Sequence, residues 1–213
     1  MPSKAYKVFQ KNLEQVGRLS ATYDSELSKN RKRGKRGLDH LTRAGLVFLC
    51  SSFEIYFESV LEESCQIVAK TLRTPNELPK QVRKTISKHV KENNNELSPT
   101  IFASDWKKYY LDMVLEDVRK LNTPKIHNMS GLLAKYLGLN DVIDRNSYPF
   151  LGIDDIVSER GAIAHKLYGE KYLKKSIFLE YEDTIRDAVK GLEMILYVEL
   201  PKIIKKKPWN NTY

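Results

Sequence analysis

Several function classes are excluded by what this sequence lacks. Its 213 residues contain two cysteines, Cys50 and Cys65. Both lie in one apolar stretch with helical spacing, so they read as reduced packing residues. Neither a disulfide framework nor a cysteine-rich zinc module fits that number and spacing. No cluster of His, Cys and carboxylates has metal-ligand spacing, so neither a metal nor any other cofactor is expected. No run of about 18 apolar residues stands out, which predicts that nothing crosses a membrane. The opening "MPSKAYKVFQKNLEQ" has no apolar signal core, which predicts a cytoplasmic protein. No alternating apolar–polar run marks a strand, and no repeat or low-complexity block occurs.

Positive charge and helical periodicity are what the chain does have. Lys and Arg number 36 against 27 Asp and Glu, a net charge of +9 at neutral pH. Such an excess suits a polyanionic partner, nucleic acid first among them. Hydrophobic residues at 41% and charged residues at 30% are an ordinary globular mixture. The length suits one domain spanning 1–213.

Apolar residues recur near every 3.6 positions along almost the whole chain. Residues 5–27 do so through Phe9, Leu13, Val16 and Tyr23. The segment "KNRKRGKRG" (29–37) follows; it is a basic connector, read either as a solvated turn or as a phosphate contact through Arg31, Arg33 and Arg36. The strongest pattern covers 38–73, and "TPNELP" (74–79) bounds it. A polar, Lys-rich helix is predicted over 80–92, then a loop. Another helix is predicted over 105–121, with Asp105 or Ser104 as its cap. Its Trp106, Tyr109 and Tyr110 stripe reads as core rather than as a base-stacking platform. "NTPKI" (122–126) breaks the chain, and a helix over 127–137 ends at Gly138. A further helix begins at Asp154 or Asp155. The last long one covers 175–200, where Pro201 ends or kinks it, and the basic tail 201–213 is expected to be loose. The expected fold is all-α, an antiparallel bundle with the helices 38–73 and 175–200 as its spine.

Candidate chemistry centres on "SERGAIAH" (158–165), where Arg160 precedes His165 by five positions. Arg–His pairs at comparable spacing also occur at Arg33/His40 and Arg83/His89. Only Arg160 and His165 have apolar neighbours, Ile156, Val157 and Ile163, able to hold a geometry. The flanking Ser158 and Glu159 adjoin the pair and are candidate pocket residues.

The segment "IDDIVSERGAIAHKL" resembles the hallmark Arg-x4–6-His segment of the HEPN superfamily (higher eukaryotes and prokaryotes nucleotide-binding). Two more segments agree and stand in the right order. "HLTRAGLVFLCSSFEIYFESVLEE" (40–63) resembles that family's first core helix, where a Glu–aromatic pair recurs. "LNTPKIHNMSGLLAKYLGLND" (121–141) is similar to the Asn-Thr-Pro element of a bacterial subfamily found near phage-defence and RNA-repair genes. The resemblance covers about 38–200.

It implies a homodimeric all-α bundle in which the Arg–His motifs of two protomers share a cleft. It also implies a metal-independent endoribonuclease, a toxin or antiviral effector, with RNA as partner and an antitoxin or regulatory protein as a further one. Carried over by position, Arg160 and His165 are the catalytic pair. Many members have a polar residue directly after the Arg, where this chain has Gly161. The alternative is therefore a non-catalytic HEPN module that binds RNA or nucleotide or scaffolds a partner. A helical bundle with no nucleic-acid role is a third reading.

The residue types suit RNA cleavage. The 2′-hydroxyl is the nucleophile, and a histidine with an ordinary pKa of about 6.5 exchanges protons near neutrality. A permanently charged guanidinium matches phosphate oxygens. At about 100° per residue, however, five positions separate the two side chains by about 140° on a straight helix. They share a face only if the helix bends, as Gly161 permits, or if a second chain completes the site. Glu54 either orients Arg160 or is an ordinary helical carboxylate. Lys166, Lys171, Lys174 and Lys175 are candidate RNA-backbone contacts. Tyr168 stands three residues after the His, one further than the Tyr that is nucleotidylated in silenced HEPN toxins.

Overall fold

The computed structural model describes residues 2–29, 35–92, 105–121, 123–144, 146–166 and 172–209. Among them there is no strand. There are seven α-helices: α1 (Lys4–Lys29), α2 (Asp39–Thr71), α3 (Lys80–Glu92), α4 (Trp106–Arg119), α5 (Ile126–Leu137), α6 (Ile153–Lys166) and α7 (Lys175–Ile204). Single turns of 3-10 helix stand at Lys35–Leu38 and Pro75–Glu77.

Local chemistry explains most of the boundaries. The Asp105 carboxylate accepts from the Lys107 backbone N–H at 3.1 Å and caps α4, satisfying one of the orphan donors of a first turn. Gly138 ends α5 at φ 70°, a left-handed conformation that glycine adopts without strain. A Cβ there would also lie 2.7 Å from Cβ of Pro79. Pro201 does not end the last helix: α7 runs through it to Ile204 and closes on Lys205. The missing N–H is outweighed by burial, because Leu200 and Ile204 both enter the core. Trp209 is buried as well, so the described part of the tail is anchored rather than loose.

Helix α2 is the centre of the molecule. Leu46, Leu49, Phe53, Phe57, Val60 and Leu61 along it are fully buried. By length and composition α2 is apolar enough to cross a membrane, although Glu54 and Glu58 interrupt its apolar stretch. Yet 56% of its most apolar stretch is buried inside the protein, as befits a core helix.

The direction of packing follows from pairs of contacts. Ring centroids of Phe9 and Tyr56 lie 5.6 Å apart, while the backbone N–H groups of Lys4 and Ala5 donate to Glu63. Helix α1 therefore runs antiparallel to α2, as a short connection demands. Against α7 the pairs rise together, Gly45 with Phe178 and Tyr56 with Val189. The long helices α2 and α7 thus run in the same direction. About a hundred residues lie between them, enough chain to return to the starting end. Helix α6 packs against both.

A buried polar knot ties the start of the chain to this spine. Glu193 is 0% exposed and accepts from the Ser3 backbone N–H at 3.2 Å, from the Ser3 hydroxyl and from the Tyr56 hydroxyl at 3.1 Å.

Candidate functional site

Helix α6 carries the motif, and its apolar stripe decides where each motif residue points. Ile153, Ile156 and Val157 are buried. Arg160 continues their stripe at i+7, i+4 and i+3, positions that share one helical face. Its guanidinium consequently meets α2, where Nη2 donates to Glu54 Oε2 at 3.1 Å. The two side chains retain 21% and 19% of their exposure. Among the described residues the Arg160 Nε, also buried, finds no hydrogen-bond partner.

The surroundings are strongly electrostatic. Burial pushes the Glu54 carboxyl above its ordinary value, and Arg160 draws it back down. One turn before Glu54 on α2, burial pushes the Cys50 thiol up to about 12, with Arg160, Glu54 and Glu159 all acting on it. Such a thiol is inert at neutral pH, in keeping with a packing role. Glu159 accepts from the Tyr181 hydroxyl of α7 at 2.5 Å, so the carboxylate beside Arg160 is held in turn. Burial and the Glu159 carboxylate together push the Tyr181 hydroxyl pKa well up.

His165 lies on the exposed face of the same helix. The helix continues unbroken through Gly161 to Lys166, so the bend that Gly161 permits is not made. A Cβ at Gly161 would meet nothing within 4 Å. Arg160 and His165 therefore diverge as a straight helix requires, and the single chain does not bring them together. Ser158 is exposed and its hydroxyl bonds back to the Asp154 carbonyl at 2.7 Å, a local contact typical of helical serines.

The remaining candidates scatter. Lys175 lies 2.5 Å from the Asp24 carboxylate and over the Tyr23 ring, so it is engaged within the chain. Lys174 is exposed at the N-terminus of α7. Arg31, Arg33, Tyr168 and Lys171 lie outside the described residues, as do the side chains of Arg36 and Lys166. Of the competing pairs, His89 shares a hydrogen bond with the Tyr109 hydroxyl at 2.5 Å, while Arg83 is exposed. No group of three or more His, Cys, Asp or Glu able to hold a metal ion occurs among the described residues.

Both other segments of the resemblance touch α6 directly. The 40–63 segment does so through Glu54. The 121–141 segment does so through the Ile126 N–H, which donates to Asp154 Oδ1 at 2.8 Å. Three stretches far apart in sequence thus meet at one helix. The family model described as RiboL-PSP-HEPN matches residues 11–197.

The chain belongs to the RiboL-PSP-HEPN family. Its match begins inside α1 and ends inside α7, so all the elements around Arg160 fall within the HEPN module. No curated protein and no solved structure matches the chain.

One cluster escaped the reading from sequence. Lys80, Arg83, Lys84, Lys88 and Lys91 are all exposed on α3. The signal was present, five cations to a single acid in 13 residues. It was passed over because the helix has no apolar wall beside its Arg83/His89 pair.

Proposed function

We propose that this HEPN protein is a metal-independent endoribonuclease in which Arg160 and His165 act on RNA across a homodimer. The observation that carries the reading is the division of roles along α6. In a carboxylate–tyrosine frame, Glu54 seats a half-buried guanidinium while Tyr181 holds the neighbouring Glu159, and an exposed imidazole stands five residues on. One helix supplies half a site, and two copies related by a twofold axis supply a whole one.

In that site the proton of the 2′-hydroxyl passes to one His165 as its oxygen attacks phosphorus. The other His165, as imidazolium, gives a proton to the departing 5′-oxygen. The products are a 2′,3′-cyclic phosphate and a 5′-hydroxyl. Arg160 offsets the charge that builds on the phosphorane oxygens, a stabilisation worth ~10²–10³ in rate per donor in other enzymes.

An apolar stripe beside the frame suits the second copy. Phe48 and Ile55 are 53% and 44% exposed, seven residues apart on the outer side of α2 and next to Glu54. Replacing both by Glu converts a dimer to a monomer in light scattering if they form the interface.

Purified protein is expected to cleave total RNA in excess EDTA, while Arg160→Ala and His165→Ala each lose at least a hundredfold. A toxin or antiviral role in the cytoplasm, held in check by an antitoxin, predicts growth arrest on expression that both variants abolish. Wild-type protein without cleavage, or variants as active as wild type, would refute the reading.

Gly161 and the divergence of the two side chains favour a second reading, a HEPN module that binds RNA without cutting it. RNA binding with no cleavage under any of these conditions supports that one.

A further inference from the structure

We infer that the outer face of α3 is a binding track for the backbone of single-stranded RNA, separate from Arg160 and His165. The choice of RNA rests on the function proposed above; the track itself rests on the geometry and charge of α3. Helix α3 is amphipathic. Val82 is buried, Ile86 is half-buried and His89 bonds to Tyr109 of α4. Lys80, Lys84, Lys88 and Lys91 fall at i, i+4, i+8 and i+11, one stripe on the opposite side, with Arg83 beside it. The eleven steps from Lys80 to Lys91, at 1.5 Å each, carry that stripe about 16 Å along the surface.

The charge on this face is not balanced as it is on other helices. Arg43, Lys120, Arg186 and Lys202 each meet an acid three or four residues away. On α3 only Lys88 does so, at 3.6 Å from Glu92, both highly exposed. Such a pair stabilises little. Among the described residues Lys80, Arg83, Lys84 and Lys91 form no ion pair. Like charges four residues apart weaken a helix, a cost that a bound polyanion reverses.

The face does not end at α3. Lys88 and Glu92 also line a groove of about 360 Å³ between α3 and α5. That groove shares Gly131 and Lys135 with a cleft of about 570 Å³ between α4 and α5, where Lys120 and His127 stand. A Cβ at Gly131 would meet nothing within 4 Å, so the junction is open. Exposed cations along a helix, running into connected grooves, match an extended chain of phosphates better than a compact anion.

The test uses the full chain and a fluorescein-labelled 2′-O-methyl oligouridylate, which lacks the nucleophile and is bound without being cut. Anisotropy is measured between about 50 and 200 mM salt. The triple variant Arg83→Gln, Lys84→Gln, Lys88→Gln is expected to bind at least tenfold more weakly. The slope of log K against log salt becomes shallower by about 2, since each lost contact removes about 0.7 on a single strand. The melting temperature stays the same or rises, because exposed like charges are removed. A triple variant that binds as tightly as wild type overturns the track. So does wild-type protein that ignores the oligonucleotide and collects on anionic vesicles instead. If wild-type protein binds through α3 yet cleaves no RNA, the nuclease reading falls and the track stands.

Discussion

Glu54 and Arg160 join the motif helix to the core helix, and a double-mutant cycle on them tests whether that contact positions the guanidinium. Their charged atoms stand 3.1 Å apart, with about a fifth of each side chain exposed. Two unit charges near 4 Å attract by about 4 kcal/mol at an effective dielectric constant of about 20. Partial desolvation of both ions takes back much of that. Exposed pairs net about 0–1 kcal/mol, while removing one partner of a buried pair costs about 3–5 kcal/mol. This pair lies between those limits, so Glu54→Ala and Arg160→Ala should each cost about 2 kcal/mol. The double variant should cost about 3 kcal/mol rather than 4, a coupling near 1 kcal/mol. In a chain of this length each single variant then lowers Tm by about 4–8 °C.

The same pair sets a pH dependence. Burial raises the folded-state pKa of Glu54, and Arg160 opposes the rise. A raised folded-state pKa means that the group's stabilising contribution is complete below its unfolded value. That contribution is lost as pH climbs through the folded one. Without Arg160 the folded value rises further, so Arg160→Ala should cost more near pH 7 than near pH 4. With Glu54→Gln in the background that difference should vanish. Thermal and urea unfolding followed by circular dichroism measure all four corners of the cycle. A coupling below about 0.4 kcal/mol, the ordinary error of additivity, would refute the claim that Glu54 holds Arg160.

Other substitutions probe the frame around the site. Glu193 is buried and its pKa is raised by desolvation, so wild-type stability should fall as pH rises from the ordinary carboxylate range toward neutrality. Glu193→Gln should flatten that profile in pH-resolved melting, whereas Glu193→Ala should lose about 2–4 kcal/mol by removing the acceptor of the Ser3 N–H and hydroxyl and one of the acceptors of the Tyr56 hydroxyl. Gly45→Ala would place a Cβ 2.8 Å from the buried ring of Phe178 and should cost about 1–3 kcal/mol despite better helix propensity. Gly161→Ala meets no neighbour and should instead stabilise by up to about 1 kcal/mol. Asp154→Ala removes the acceptor for the Ile126 N–H and should lower stability by about 1 kcal/mol in urea titration.

Periodicity placed the seven described helices within a few residues, because a buried stripe repeating every 3.6 positions is a local property of the chain. It also marked Ile156, Val157 and Ile163 as the apolar neighbours of Arg160 and His165, whereas the stripe that turns Arg160 toward α2 emerged with the packing of α6. Lys80 to Lys91 were equally visible as cations, but nothing local said that they would flank connected grooves. Glu54 could be read as an orienting carboxylate or an idle one; only the packing of α6 on α2 brought it within 3.1 Å of Arg160. The direction of α7 along α2, the passage of α7 through Pro201 and the burial of Trp209 were likewise settled by tertiary packing. Each depends on apolar area covered by residues distant in sequence, which outweighs a local preference of about a few kcal/mol. Gly161 shows the reverse limit. Its freedom to bend was legible, yet nothing in the packed chain requires a bend, and the helix keeps its hydrogen bonds.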